Sequence, residues 1–121
     1  MSSRAIYSFL GFPETPVRHL TLQHDGFPTG AAWRFAVAAR SAADPSAFLA
    51  SFVLSQPAAE ALACPERGGD AEYRYHVQLR GRRSRHLLVQ CWRRYPEGIG
   101  WQRRCGPMRL ECFLRRFPPG S

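Results

Sequence analysis

The strict alternation of residues 73–80 constrains the fold of this chain more than any other feature. Apolar residues alternate there with polar ones: Tyr73, Tyr75, Val77 and Leu79 against Arg74, His76, Gln78 and Arg80. Because successive side chains of a strand point to opposite faces, this period of two predicts a strand with one face on a core. Residues 81–85 can turn the chain and residues 86–93 alternate again, which predicts an antiparallel hairpin.

Three further strands are predicted. Residues 4–10 alternate loosely up to a Gly-Phe-Pro turn, and residues 15–24 run into the turn-forming sequence Asp25-Gly26-Phe27-Pro28. These two segments predict an N-terminal hairpin. A turn over residues 95–98 then leads to a short predicted strand at residues 99–103.

Two helices are predicted between the hairpins. Thr29 is expected to cap a helix over residues 31–43, which are rich in strong helix formers. Asp44 followed by proline predicts a second helix over residues 44–54, ended by Gln56-Pro57. Residues 58–64 are interpreted as a further helical turn, and residues 65–70 as a polar loop.

The C-terminal segment fits two patterns. Met108, Leu110, Cys112 and Leu114 would line a strand, whereas Leu110, Phe113, Leu114 and Phe117 fit one face of a helix. Pro107 suits a first helical turn. We predict a short C-terminal helix, followed by a frayed tail at residues 118–121.

A chain of 121 residues has about the length of one domain. We therefore predict a single α+β domain over residues 1–121, with a mostly antiparallel sheet of about five strands. Two helices are expected to pack on one face, and a short helix to end the chain. Because no secretory signal and no apolar stretch of roughly 20 residues is visible, the expected location is cytoplasmic, with no membrane partner.

The cysteines and histidines show no ligand spacing typical of a metal site. Cys64, Cys91, Cys105 and Cys112 contain no C-x-x-C pair, and the four histidines fall on separate predicted elements. We expect no metal, no cofactor and no disulfide framework, with the thiols reduced in a cytoplasmic protein.

Positive charge is concentrated in the last third of the chain. Residues 1–79 hold six arginines and seven acids, whereas residues 80–121 hold eleven arginines and two acids. Compositional bias explains the absence of lysine, but it does not explain this crowding. Guanidinium groups make bidentate contacts to phosphate and carboxylate, so we expect an anionic partner, either DNA or RNA or an anionic protein.

The candidate interface combines arginines at turns and strand ends with nearby rings: Arg80, Arg82, Arg83, Arg85, Arg93, Arg94, Arg103, Arg104, Trp92, Tyr95 and Trp101. Arginine beside exposed rings engages the nucleic-acid backbone and the bases together. The alternative is that Trp92 and Trp101 belong to the core and the arginines form a solvated rim. No helix-turn-helix, zinc-finger or RNP sequence predicts specific base reading.

Four segments carry a resemblance to known sequences: residues 5–9, 24–32 (HDGFPTGAA), 70–75 (DAEYRY) and 110–114 (LECFL). The chain resembles a group of small, poorly characterised proteins of phages, prophages and plasmids, which share a DGYP-x-GAA segment opening a helix. It departs from them at Phe27, where such proteins usually have Tyr, and in its Arg-rich segment at residues 80–104. The resemblance implies a mobile-element setting and attaches no reaction.

The DGFP segment has a structural interpretation and a functional one. Its residues suit a tight turn before a helix, since Gly26 tolerates positive φ and Pro28 fixes φ. The alternative makes Phe27 and His24 an exposed recognition edge, beside a helix N-terminus open to a carboxylate or phosphate.

Three functions are compatible with these features. The first is a binding inhibitor of a host defence nucleoprotein complex, which resembles anti-CRISPR proteins in size and expected origin without a matched motif. The second is a nonspecific DNA- or RNA-binding accessory protein. The third is a small enzyme using His24 and Asp25. Since neighbouring strand residues point to opposite faces and no nucleophile elbow or phosphate loop is present, we predict no enzyme.

Overall fold

The computed structural model describes residues 3–13, 15–95 and 100–119, which form an α+β fold. The strands are β1 (Ala5–Leu10), β2 (Arg18–Leu22), β3 (Glu60–Leu62), β4 (Tyr73–Arg80), β5 (His86–Tyr95) and β6 (Gly100–Arg109). The α-helices are α1 (Pro28–Ser41), α2 (Phe48–Ser55) and α3 (Leu110–Arg116). Short 3-10 turns occupy Pro45–Ala47 and Pro65–Gly68.

The strands form one sheet in the order β3-β2-β1-β4-β5-β6. Its central pair is parallel, with Ala5 beside Tyr73 and Phe9 beside Val77. Every other neighbouring pair is antiparallel. The N-terminal and C-terminal groups of strands therefore meet along β1 and β4, which lie in the middle of the sheet.

The core lies between one face of the sheet and the helices. Tyr7 of β1 stacks on Tyr75 of β4 at a centroid distance of 5.2 Å. Phe35 of α1 meets Tyr7 edge-on at 5.8 Å, and Phe113 of α3 packs against Phe35 at 5.8 Å. All three helices thus contribute to one aromatic core, in which these rings are fully buried.

The predicted architecture is confirmed in its main features. The sheet is mostly antiparallel, two helices pack on one of its faces, and a short helix ends the fold. One strand more than the five predicted is present, because β3 lies in the segment, residues 58–64, where a helical turn was predicted. That prediction was wrong because these residues pair with the edge of β2, where Leu62 lies opposite His19. Tertiary pairing outweighs the helix propensity of the four alanines in this segment.

The predicted helix starts need two corrections. Phe27 is the N-cap residue of α1, without a side-chain capping bond, and Pro28 is in the first turn. Thr29 therefore lies inside the helix that it was predicted to cap. Asp44 does act as a cap, accepting a hydrogen bond from the Ser46 amide at 2.8 Å, but it starts the first 3-10 turn rather than α2 itself.

The C-terminal helix is confirmed, with Leu110 and Phe113 buried. Pro107 was wrongly assigned to its first turn, because β6 continues through Arg109 to pair Met108 with Val89 of β5. The predicted turn residues 96–98, the predicted strand start at residue 99 and the end of the predicted tail, residues 120–121, lie outside the described residues. None of the described helices is long and apolar enough to cross a membrane.

Candidate nucleic-acid interface

The sheet face turned away from the helices is called the open face. Because side chains alternate along each strand, it carries the residues between the core positions: Ile6, Ser8, His19, Arg74, His76, Gln78, Leu88, Gln90, Trp92, Arg94, Trp101 and Arg103. The 3-10 turn Pro65–Gly68 packs on this face near one end of the central strand β1, against Ile6.

The eight predicted arginines fall into two groups, one at each end of the β4–β5 hairpin. Arg80 lies opposite His86 at the turn end of the β4–β5 hairpin, and Tyr73 lies opposite Arg93 at the other end. The turn end holds Arg80, Arg82, Arg83 and Arg85, whereas the far end holds Arg93, Arg94, Arg103 and Arg104. At about 3.3 Å per residue, the eight-residue strand β4 separates the groups by about 25 Å, so they do not form one patch.

Alternation divides the far-end group again. Arg94 and Arg103 lie on the open face, opposite Trp101 and Trp92 respectively. Arg93 and Arg104 lie on the helix side. The Arg93 guanidinium lies over the Tyr95 ring at 5.2 Å, and Arg104 donates a hydrogen bond to the Tyr95 hydroxyl at 3.1 Å.

Both candidate tryptophans of this region lie on the open face and not in the core. Arg94 lies over the ring of Trp101 at 4.7 Å from its centroid. Trp92 is half-buried next to His76, with ring centroids 6.1 Å apart. The alternative that placed the two rings in the core is therefore wrong, because their positions in the strands point them away from the helices.

A groove of about 420 Å³, here called the basic groove, runs between the second 3-10 turn and the far end of the open face. Its lining consists of Ile6, Pro65, Glu66, Gly69, Arg74, Arg94 and Trp101. Arg94 is held in place by a 2.9 Å hydrogen bond from Nη1 to the Gly69 carbonyl. Two guanidinium groups, one indole ring and the Glu66 carboxylate thus border this groove.

Three neighbouring nitrogens on the open face are buried without a hydrogen-bond partner among the described residues: Arg74 Nε, His76 Nε2 and Trp92 Nε1. Burial, with a further contribution from Arg74, lowers the pKa of His76 to about 4, so its ring is neutral near pH 7. Burial also lowers the pKa of Arg74, opposed by the nearby Glu66 carboxylate. Because a buried polar group without a hydrogen-bond partner costs stability, these three nitrogens do not stabilise the fold.

The arginines of the open face carry no ion pair. Within the described residues, the salt bridge between Arg4 and Asp70, at 2.5 Å, is the one formed. Arg74, Arg94 and Arg103 therefore keep charges that no carboxylate of the described chain neutralises by direct contact.

The DGFP segment anchors the core through its backbone carbonyls. Tyr75 donates a 2.6 Å hydrogen bond to the Gly26 carbonyl. The buried Arg34 guanidinium donates to four acceptors: the carbonyls of His24 (2.7 Å) and Asp25 (2.9 Å), the Tyr7 hydroxyl (3.1 Å) and Gln56 Oε1 (3.2 Å). Sequence reasoning missed Arg34, since nothing in its neighbourhood distinguishes it from a surface arginine on an alanine-rich helix.

The side chains of the alternative recognition edge, Phe27 and His24, are both exposed. Phe27 is 41% exposed, His24 is exposed, and Trp33 of α1 is 52% exposed. Phe27 and Trp33 border a cavity of about 240 Å³ that Asp25 also lines. The His24 ring is not among its lining residues, so this cavity does not join His24 to Asp25 as the enzyme hypothesis requires.

The four cysteines are free thiols. In the part of the chain that the structure describes, no three His, Cys, Asp or Glu side chains are grouped to hold a metal ion. Comparison with protein-family models, curated proteins and solved structures gives no match. The geometry of the open face therefore provides the basis for a functional proposal.

Proposed function

We propose that this is a non-catalytic protein that binds single-stranded nucleic acid on its open face, with the basic groove as the main contact. The observation that carries the proposal is the stacking of Arg94 on Trp101 at the groove, beside a second cation, Arg74. A cationic groove with an aromatic ring is the arrangement that engages phosphate and base together without sequence preference.

The distribution of charge favours a single strand over a duplex. A flexible single strand can follow the open face from the basic groove toward Arg80 and Arg109 at the turn end, because both ends carry unneutralised cations. A rigid duplex is normally read by an element that enters a groove, and the arginines proposed here lie on strands within a sheet.

Binding of a labelled, mixed-sequence oligonucleotide of about 15 nucleotides tests this proposal by fluorescence anisotropy. We expect the logarithm of the affinity to fall linearly with the logarithm of salt concentration, with a slope of about −0.7 per phosphate contacted. A competing duplex of the same sequence should bind more weakly.

The matched comparison uses two double variants with the same charge change. Arg94→Gln with Arg103→Gln should lower the affinity about tenfold or more, and Trp101→Ala should lower it by a similar factor through lost stacking. Arg82→Gln with Arg83→Gln, at the turn end, should have a clearly smaller effect. Equal losses for the two double variants, or no salt-dependent binding by the parent protein, would overturn the proposal.

A second candidate function is the binding inhibitor of a host nucleoprotein complex. It is favoured by the exposed rings of Phe27 and Trp33, since aromatic side chains are enriched at protein interfaces. A pull-down from host lysate with and without nuclease separates the two functions. Capture of one protein that survives nuclease and is lost in a Phe27→Ala, Trp33→Ala variant supports the inhibitor, whereas loss of capture with nuclease alone supports nucleic-acid binding.

A further inference from the structure

Two of the four thiols lie directly opposite each other in neighbouring strands. Cys91 of β5 and Cys105 of β6 are paired residues of an antiparallel ladder, on the side of the sheet that the helices cover. Cys91 is fully buried, and Cys105 is 7% exposed at the edge strand. The other two cysteines, Cys64 and Cys112, lie on separate elements nearer the surface.

The spacing of such a pair suits a disulfide. Directly opposed residues of antiparallel strands have Cα atoms about 4.5–5.5 Å apart, inside the range of about 4.4–6.8 Å found for disulfides. Their side chains share a face, which places the two thiols next to each other across the strands.

The two thiols have different reactivities. A hydrogen bond from the Cys91 thiol lowers the pKa of Cys105 against the effect of burial, and the Cys91 amide and the cations Arg116 and Arg104 act in the same direction. The hydrogen bond to Cys105 and burial raise the pKa of Cys91. Since the thiolate is the nucleophile, Cys105 is the thiol that reacts first.

We propose that Cys91 and Cys105 form a cross-strand disulfide when the protein meets a low-molecular-weight disulfide such as oxidised glutathione. The Cys105 thiolate attacks one sulfur of the reagent, which forms a mixed disulfide and releases one glutathione thiolate. The Cys91 sulfur then attacks the Cys105 sulfur, and the Cys91 proton passes to the departing glutathione thiolate, which leaves as the second glutathione thiol. Two protein thiols are oxidised and one reagent disulfide is reduced.

The consequence of this bond is local. It would join β6, the edge strand of the sheet, to β5 beside the positions of Trp92, Arg103 and Arg104, where the register of the two strands shifts. The proposal stands independently of nucleic-acid binding, because it concerns the opposite side of the sheet and requires no ligand there.

A Cys64→Ser, Cys112→Ser variant provides the test, since it keeps only the opposed pair and changes residues outside the buried core. After incubation with oxidised glutathione, unreacted thiols are alkylated in denaturant and the chain is mapped by mass spectrometry without reduction. We expect one linked peptide pair containing Cys91 and Cys105, no retained glutathione, and a thermal unfolding midpoint raised by roughly 5 °C.

Adding Cys91→Ser to this variant removes the second step. That protein should retain glutathione on Cys105, whereas the same background with Cys105→Ser should react at least about tenfold more slowly. Stable glutathione on Cys105 in the variant that keeps both thiols, or two thiols that remain open to alkylation, would overturn the proposal. Both results are read from covalent mass and remain interpretable if a serine substitution lowers stability.

Discussion

The covered and open faces of the sheet share the same strands but have opposite properties. Tyr75 and Val77 point into a dry aromatic core beneath the helices, whereas their neighbours Arg74 and His76 lie on the other side with unpartnered nitrogens. The covered face therefore accounts for the stability of the fold, and the open face keeps charge and hydrogen-bonding capacity available for a ligand. Consecutive residues of one strand therefore lie on different faces, one in the core and the next on the open face.

The largest effect is expected on the covered face. Phe35→Ala removes a fully buried ring that contacts five other aromatic residues, and it should lower the free energy of unfolding by about 4 kcal/mol. Urea denaturation measures the loss. Trp33→Ala, on the same helix but half exposed, is the control and should change stability by less than about 0.5 kcal/mol.

Arg34→Ala tests a cation that is buried on the covered side of the sheet. It would leave four acceptors without their donor, so we expect a loss of about 3 kcal/mol in urea denaturation. Arg34→Lys should recover only part of this loss, because an ammonium group cannot reproduce the guanidinium fork. An equal loss from the exposed Arg40→Ala would show that charge alone, and not this network, is responsible.

Gly68→Ala tests the contact between the second 3-10 turn and Ile6 on the open face. A Cβ at this position would meet Ile6 Cδ1 first and lie 2.8 Å from Ile6 Cγ1, so we expect a destabilisation of about 2 kcal/mol. Ile6→Val shortens the opposing side chain and should make the double variant more stable than the sum of the two single losses predicts. Strict additivity in thermal unfolding would contradict this contact.

The pH dependence of stability provides the most sensitive measurement of the open face. His76 has a pKa of about 4 in the folded protein against 6.5 for the free side chain, so the unfolded chain binds a proton in this window that the folded protein does not. Stability should therefore fall as the pH decreases from about 6.5 to about 4, by about 1–2 kcal/mol for this group. Urea midpoints across this range measure it.

His76→Gln should flatten this part of the pH profile. Burial also lowers the pKa of His19, in the same direction but without a large shift, so His19→Gln should flatten the profile less. An unchanged slope in His76→Gln would show that the centre of the open face is solvated and not dry.

The assignment of residues to faces follows from sequence, and the assembly of the sheet does not. Alternation at residues 73–80 placed Tyr75 and Val77 on the core and Arg74 and His76 away from it, because a strand has only two sides. A hairpin with its turn at residues 81–85 also puts Arg82 at the turn and Arg94 at the opposite end, so their separation could have been predicted from the sequence. These arginines were predicted to form one interface because they are close together along the chain.

Other features depend on contacts between distant segments. The strand β3 exists because Glu60–Leu62 meets the edge of β2, and no local pattern indicates that pairing. Arg34 reads as an ordinary surface arginine, although carbonyls of the preceding turn surround its guanidinium. The basic groove likewise requires Pro65 and Gly69 to lie beside Trp101, which becomes visible only in three dimensions.

The parallel pairing of β1 with β4 has a consequence for synthesis on the ribosome. Ala5 emerges before its partner Tyr73, which follows only after both large helices have been made. Until then the inner edge of β1 has no strand beside it, and Phe35 of α1 lacks its ring contacts with Tyr75 and Phe113. We expect the nascent chain to remain open to proteases and chaperones until β4 has left the exit tunnel, and to close in a late step governed by this long-range pairing.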